Sequence, residues 1–550
     1  MNAVIHDFFL PAYIEHALKR LGRLQVVEFP PQDGVSVRHL QVDRNVLRAI
    51  GRELRRRRGE LSCQMDLRDR EGLTERLSGL SGLAAAVTEP GSAFRKEALQ
   101  VVPQISGFSP EMIGILLESF ATMVSDGNWR DASAALPPNQ AAVEFVHGPS
   151  GYARYYSGPL GVSLPRLLAT SRRHRHKPVT PLPITGMPPA VSNIAAGNVP
   201  GMALMLALLA ISVGAASLGK NASAEPYFGP RFLGELASLE SQRGSFPLSD
   251  LMPLVTFPGT ERPLLEELIH QGDHLQVTGG LDSKRVIGSI VHRLRYRSLR
   301  DLKRRISGHW HKVSFDIVAK ECLHPDWIET VALNVALDNS MYDTQCCLSA
   351  QQVFVEGERG EALRFAECFI EQMRVILRRL PKGARPHERL REMYHWYENK
   401  SGVIILTSLG DMQQHPFFAA YEDKPGAFAV SNALNRSIVI RRLDHLETAL
   451  PRLLGQGTRR DLLQSCGVAV PQSRLLGLAE ILGRAGVNRI VAAGNIWDMR
   501  LGSESWDGYL PPTDLISPQM GHWTTISFHD AGEALAQARA RNQALLASSS

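Results

Sequence analysis

The chain has 550 residues, of which 44% are hydrophobic and 21% charged, and its formal net charge is +6. A length of this order exceeds one ordinary core, so two or three structural units sharing one active site are expected, and the composition excludes disordered and fibrous classes. A charge of +6 spread over so long a chain permits an anionic ligand and decides nothing further.

In chain order, Met1-Asn2-Ala3-Val4-Ile5-His6-Asp7 is not a positive segment followed by an apolar core and a cleavage site, so no signal peptide is expected. Residues 1–185 read as mainly helical, with a strand-like run from Leu24 to Phe29. A helix is expected from Ser109 to Val124: Ser109 suits the N-cap, Pro110 the first position and Glu111 the positive helix end, and apolar residues recur at helical spacing. Basic residues cluster at Arg55 to Arg58, at Arg172-Arg173-His174-Arg175-His176-Lys177 and from Arg300 to Arg305, either as solvated faces or as contacts to phosphate or coenzyme. Prolines forbid a continuous helix between Ser171 and Pro189, which reads as a connection.

The stretch from Asn198 to Gly219 carries no charge, and its length alone would permit a membrane span. Pro200, Gly201 and Gly214 punctuate it and Lys220 closes it, which suits loop, buried helix, turn and buried strand better than one continuous helix. Strand and helix candidates alternate around it: Val191 to Ala195, Met202 to Val213, Ala215 to Leu218, Arg231 to Leu239, and Leu275 to Thr278. A second alternating region begins near Val313, runs through Trp327 to Leu337, Val353 to Val355, Glu361 to Leu380 and Gly402 to Thr407, and ends around Ile490 to Ala492. This alternation predicts parallel strands with helical crossovers, an α/β fold. No internal repeat is found, and disorder is expected only at the ends, notably after Gln543.

Six cysteines (Cys63, Cys322, Cys346, Cys347, Cys368, Cys466) are irregularly spaced, with neither a CxxC pair nor a small secreted framework, which fits a reducing compartment. Cys346 and Cys347 stand in the run from Asn339 to Glu356, NSMYDTQCCLSAQQVFVE, as a functional pair or as small core residues. The run resembles the nucleophile loop of aldehyde dehydrogenases, where Gly-Gln-x-Cys precedes a strand. Here Thr344-Gln345-Cys346-Cys347 precedes Val353-Phe354-Val355-Glu356, with Thr344 in the place of the glycine. A more specific resemblance is to the LuxC-type acyl-CoA reductases. Gly107-Phe108-Ser109-Pro110-Glu111-Met112, Ser192-Asn193-Ile194-Ala195-Ala196-Gly197-Asn198-Val199-Pro200-Gly201, Tyr342-Asp343 and Leu348-Ser349 resemble that family in the same order. A His-Asp-Gly of the family's C-terminal part is represented here by Trp506-Asp507-Gly508.

The resemblance implies an aldehyde-dehydrogenase-like α/β fold: residues 1–185 as a helical part packing on the cofactor domain, 186–307 as a Rossmann-like nicotinamide-cofactor region, 308–500 as the catalytic α/β domain, and 501–550 as a segment packing across the domains with a disordered tail. It implies reduction of a fatty acyl thioester to an aldehyde, with Cys347 as nucleophile and NADPH as hydride donor. A thiolate suits that task because thioester exchange keeps the acyl group activated for hydride attack. Asn198, in Asn198-Val199-Pro200, is the expected oxyanion donor together with the backbone N–H of Cys347; an asparagine chosen for turn geometry is the other reading.

Lys220 is expected at the adenosine ribose, and Thr278, Gly279 and Gly280, in Val277-Thr278-Gly279-Gly280, near the pyrophosphate, although two adjacent glycines also suit an ordinary turn. Ser223 stands where NAD-preferring relatives carry an acid, which favours NADPH, with Glu225 close by in sequence. The region Gly308 to Phe315, GHWHKVSF, lacks the glutamate that aldehyde-oxidising relatives use to activate water. His309 and His311 lack a third ligand at metal spacing and suit a strand edge, so no metal is expected. The family also implies an acyl-protein synthetase partner, a homo-oligomer and a cytoplasmic location, with no transmembrane anchor and no nucleic-acid partner. The competing readings are a reductase of another activated acyl donor such as an acyl phosphate, a non-catalytic partner-binding descendant of the fold, and a basic nucleic-acid module.

Overall fold

The computed structural model describes residues 3–32, 35–65, 70–125, 145–148, 151–154, 190–212, 214–295, 305–384, 388–424, 428, 434–455, 462–499, 504–507, 525–526 and 531–548. At the N-terminus β1 (Ala3–His6), β2 (Val26–Gln32) and β3 (Val35–Leu40) form a small sheet in the order β1-β3-β2. The helices Ala12–Arg20, Arg44–Met65, Arg70–Thr88, Ala93–Ser106 and Pro110–Ser125 accompany it. Ser109 caps the last of these, its Oγ accepting the Met112 N–H at 3.2 Å. A short ribbon pairs β4 (Phe145–Gly148) with β5 (Gly151–Arg154).

In the Arg55 to Arg58 run only Arg56 is a solvated position, paired with Glu53 and Glu60 of its own helix, and the other three make contacts beyond it. Arg57 binds the Asp250 carboxylate at 2.7 and 2.9 Å, Arg58 reaches the Gly214 carbonyl at 3.3 Å, and Arg55 donates to the Gln271 carbonyl, so the helix is docked on the unit that follows. The basic run Arg172 to Lys177, the connection from Ser171 to Pro189, and Arg300 to Arg304 of the third run lie outside the described residues.

Five parallel strands form the first large sheet: β6 (Ala190–Ile194), β7 (Ala216–Asn221), β8 (Leu254–Thr256), β9 (His274–Thr278) and β10 (Arg305–His309), in the order β10-β9-β6-β7-β8. The chain leaves β6 in one direction, through β7 to β8, and returns to β9 on the other side of β6. Such a switch point opens a crevice beyond the carboxyl ends of β6 and β9. The uncharged stretch supplies the helix Met202–Ser212 and most of β7; both are buried, which explains apolar residues around the whole helix. Among the described residues no helix is long and apolar enough to cross a membrane.

The second large sheet has eight strands, β11 (Val313–Val318), β12 (Ala350–Glu356), β13 (Val403–Ile405), β14 (Phe418–Glu422), β15 (Ser437–Leu443), β16 (Leu463–Ala469), β17 (Arg489–Ala492) and β18 (Thr525–Ile526). Their order is β13-β14-β15-β12-β11-β16-β17-β18, and only the β13–β14 pair is antiparallel. Three residues, Trp310 to Lys312, carry the chain from the end of β10 to the start of β11. This short crossing sets the carboxyl edge of the first sheet against the amino edge of the second. The expected disorder after Gln543 is corrected: the helix Ala531–Ser548 continues past it, because Leu546 is buried against neighbouring apolar side chains.

Gly107 ends the helix Ala93–Ser106 with left-handed backbone (φ 71°), and the chain there passes directly over Gly383, where a Cβ would fall 2.6 Å from the Phe108 Cα. Backbone on backbone leaves nothing flexible to yield. Gly383→Ala should therefore lower stability by about 1–3 kcal/mol, read as a drop in the urea midpoint; an unchanged midpoint would remove this contact from the account.

Candidate active site

The helix Pro325–Ser340 ends in a run of left-handed residues, Tyr342, Asp343 and Thr344, with φ of 53°, 47° and 61°. A second run, Leu434, Asn435 and Arg436, has φ of 57°, 52° and 61°. Non-glycine residues in this region cost about 1–3 kcal/mol each unless their surroundings hold them. Here the two runs hold one another. Arg436, fully buried, places Nε 2.7 Å from Asp343 Oδ1 and gives its remaining donors to the carbonyls of Leu380 (2.8 Å) and Pro381 (3.2 Å). The Arg436 N–H donates to Thr344 Oγ1 at 2.9 Å, whose hydroxyl donates to the Asn339 carbonyl at 2.8 Å. Asp343 Oδ2 accepts the Gly383 N–H at 3.1 Å. Thr344 thus occupies a backbone conformation that favours glycine, held by buried hydrogen bonds that glycine lacks.

This clamp presents Cys346 and Cys347. Ser314, at the start of β11, donates to the Cys347 carbonyl at 2.7 Å, and the Ser349 N–H donates to the Cys346 carbonyl at 3.0 Å. Cys346 is buried and Cys347 half-buried, both as free thiols. The two sulfur groups hydrogen-bond one another, which lowers the Cys346 thiol and holds the Cys347 thiol well above the ordinary range. The proton is shared by the pair, and Cys347 is the more exposed of the two sulfurs.

A cavity of about 300 Å³ lies in front of this loop. Its wall contains Asn198, Thr278, Gly279, Gly280, Cys346 and Cys347, so most of the residues singled out in the sequence meet in one place. Asn198 donates one amide N–H to the Gln345 carbonyl at 2.9 Å, which ties the loop after β6 to the cysteine loop. Thr278 Oγ1 accepts the Ala196 N–H at 2.8 Å and joins the loops after β6 and β9. Lys220 and Ser223 are not in the cavity wall. They stand behind it: Gly197 packs on Ala222 and Ala224, where a Cβ would come within 2.9 and 3.0 Å. The buried Lys220 ammonium donates to the Asn221 carbonyl at 3.1 Å and lies 5.3 Å from the Phe257 ring centre, and burial brings its pKa down to about 8. Ser223 is exposed, while Glu225 is buried, accepting the Phe228 N–H at 2.7 Å and the Gly201 N–H at 3.4 Å, with its pKa pushed up to about 7 by burial.

The residues suit a dinucleotide. The helix Leu281–Arg295 begins directly after Gly279-Gly280, and a Cβ on Gly280 would meet nothing within 4 Å, leaving backbone open to a phosphate at a helix N-terminus. No carboxylate stands between Gly308 and Phe315, and any side chain at Gly308 would run into Trp310, its Cβ falling 2.6 Å from the indole Cε2 and closer still to Nε1. Among the described residues no group of three or more His, Cys, Asp or Glu could hold a metal ion. Sequence reasoning missed Arg436, whose only local signal was a positive charge ahead of an apolar strand, and Gln464, a buried amide beside the Cys347 sulfur.

The sequence model of the acyl-CoA reductase (LuxC) family matches residues 177–517. The chain belongs to the LuxC acyl-CoA reductase family. A long-chain acyl-protein thioester reductase of Photorhabdus laumondii is 22% identical over 326 residues, 59% of this chain and 62% of that protein, so the match spans less than two thirds of the relative's length. Among solved structures, a salicylaldehyde dehydrogenase from Pseudomonas putida G7 superposes with a TM-score of 0.56 at 14% identity, covering 83% of this chain and 84% of that one. The Delta-pyrroline-5-carboxylate dehydrogenase from Mycobacterium tuberculosis superposes with a TM-score of 0.57 at 12% identity, over 87% and 82%. This LuxC family member therefore has an aldehyde-dehydrogenase-like α/β fold, as its sequence implied.

Arg436→Met should lower stability by about 3–5 kcal/mol, because it leaves the Asp343 carboxylate buried without its cation. The cysteine loop should loosen with it. Denaturant titration and hydrogen exchange across Tyr342 to Leu348 test this together; wild-type protection in the variant would show that the clamp does not hold the loop.

Proposed function

We propose that this protein reduces a fatty acyl thioester, carried by coenzyme A or by a protein, to the aldehyde, using NADPH and an acyl thioester on Cys347. The observation that carries this reading is the convergence of Cys347, Asn198 and the Thr278-Gly279-Gly280 turn on one cavity between the two sheets. The reaction divides accordingly. The Cys347 sulfur attacks the donor carbonyl, the bond from carbon to the donor sulfur breaks, and the donor thiol departs with the proton that Cys347 gave up. Asn198 and the backbone N–H of Cys347 face the negative oxygen, each such donor lowering the barrier by about 3 kcal/mol when well placed. NADPH, when bound, supplies the hydride that converts the acyl carbon to an aldehyde. Cleavage of the bond to Cys347 then returns its thiolate.

The cofactor would lie along Thr278, Gly279 and Gly280, with Lys220 and Ser223 toward the ribose. NADPH is favoured over NADH because Ser223 brings no negative charge, and because the Glu225 carboxylate is engaged by the backbone N–H groups of Gly201 and Phe228. A protein-bound donor is suggested by the name of the Photorhabdus relative, and would call for an acyl-protein synthetase as partner. Free thiols at the site suit a reducing, cytoplasmic setting. The homo-oligomeric state implied by the family belongs to the same proposal.

Two outcomes test this reading. Cys347→Ala should abolish both the acyl mass gained from a long-chain acyl-CoA and NADPH-dependent aldehyde release, whereas Cys346→Ala should keep the covalent step. A folded Cys347→Ala protein that still carries an acyl group on Cys346 would move the nucleophile by one residue. Lys220→Met should weaken NADPH binding and yet raise stability at pH 7 by on the order of 2 kcal/mol, since an amine held at about 8 is charged at a cost in the fold. That cost is fully present below pH 8 in wild type and disappears as pH rises toward 10.5, where folded and unfolded amines are both neutral. The advantage of the variant must therefore shrink over that interval. Equal NADPH affinity in wild type and variant would remove Lys220 from the site.

A further inference from the structure

Two features of the sequence have no part in the chemistry above: His309, and Trp506-Asp507, which stand in place of a family His-Asp. The fold brings them together although 198 residues separate them. His309 ends β10, and its Nδ1 lies 3.0 Å from Asp507 Oδ2, with both side chains buried. The imidazole is stacked on the Trp506 ring at 3.7 Å between centroids and 16° between planes. Asp507 is held for this contact with left-handed backbone, φ 55°, in a segment anchored by Glu504 on Arg489 at 2.6 Å. His309, Trp506 and Asp507 all line the cavity that contains Cys346 and Cys347. The charge of Asp507, which lines the same cavity, also disfavours the Cys347 thiolate.

We propose that His309 is the proton-transfer residue for acylation of Cys347, with Asp507 and Trp506 as its positioning residues. This rests on the reading of Cys347 as the acyl-accepting thiol. A carboxylate at Nδ1 keeps the ring proton on that side and leaves exchange to Nε2. Nε2 accepts the Cys347 S–H proton as the sulfur bonds to the acyl carbon; the donor C–S bond breaks, and the leaving thiolate takes the same proton from Nε2. The ring ends neutral, and atoms and charge balance without a further reactant. After reduction Nε2 returns a proton from water to the Cys347 thiolate. The other titratable groups that line the same cavity are Cys346 and Cys347 from the cysteine loop, and His311 and Lys312 from the crossing to β11.

The test is the rate of Cys347 acylation by a long-chain acyl-CoA, without NADPH, across pH, with iodoacetamide alkylation of Cys347 followed in parallel. Wild type should show a rate with a rising limb as pH increases. His309→Gln should lose roughly 100-fold or more together with that rising limb while the protein stays folded. Asp507→Asn, which keeps the ring, should lose about 10- to 100-fold and displace the limb, and it carries the test should His309→Gln fail to fold. Free imidazole should restore part of the rate to His309→Ala. Acylation and alkylation that keep the wild-type pH dependence in the variants, at any overall rate, would overturn the proposal by reducing the dyad to a structural contact. Wild-type protein that alkylates with the expected limb but takes no acyl group would instead sink the acyl-cysteine reading and leave the dyad standing.

Discussion

The buried pair of Arg436 and Asp343 is the constraint on which the site depends. Both side chains are withdrawn from water, so neither charge is tolerable without the other, and each completes its hydrogen bonding on backbone groups of the opposing segments. The pair fixes two left-handed runs whose conformations would otherwise relax. Cys347 sits three residues beyond Thr344, and its direction follows from that locked turn. Interlocked strain of this kind is a way to hold a nucleophile in an orientation that no regular helix or strand provides.

The second determinant is topological. The crevice at the switch point of the five-stranded sheet lies at the carboxyl ends of β6 and β9, and the three-residue crossing from β10 to β11 turns it toward the amino end of β12, where the cysteines lie. Asn198 and Thr278 close the arrangement with one hydrogen bond each, between the two sheets and between the two loops of the crevice. The Thr278-Gly279-Gly280 turn and the cysteine pair are thereby brought within one cavity of about 300 Å³ without a long intervening loop.

Local patterns made much of the fold legible. Buried parallel strands are apolar on both faces and their crossover helices have clear starts, so Val191 to Ala195, Leu275 to Thr278, Val353 to Val355 and the Ser109 cap correspond to elements found in the structure. The uncharged stretch was decided by its punctuation, with Gly201 and Gly214 both at positive φ. The support for the nucleophile was hidden because it is non-local: Arg436 is 93 residues from Asp343, and Asp507 is 198 from His309. No periodicity links such positions. Thr344 in place of glycine looked like a departure from the family pattern, and its meaning lies in a hydroxyl that bonds Asn339 and Arg436, a fact of tertiary structure alone. The Arg55 to Arg58 cluster misled in the same way, since its partners Asp250, Gly214 and Gln271 come from a distant part of the chain.

The central claim, that the clamp and the crevice serve one covalent reduction, is tested most directly by a pulse and chase on the wild-type protein. Intact mass and peptide mapping would follow a long-chain acyl-CoA added first, and NADPH added after its removal. The account predicts one acyl group on the peptide bearing Cys346 and Cys347, stable until NADPH arrives and then released as one equivalent of aldehyde. Aldehyde formed without any such adduct, or an adduct that NADPH leaves in place, would contradict it.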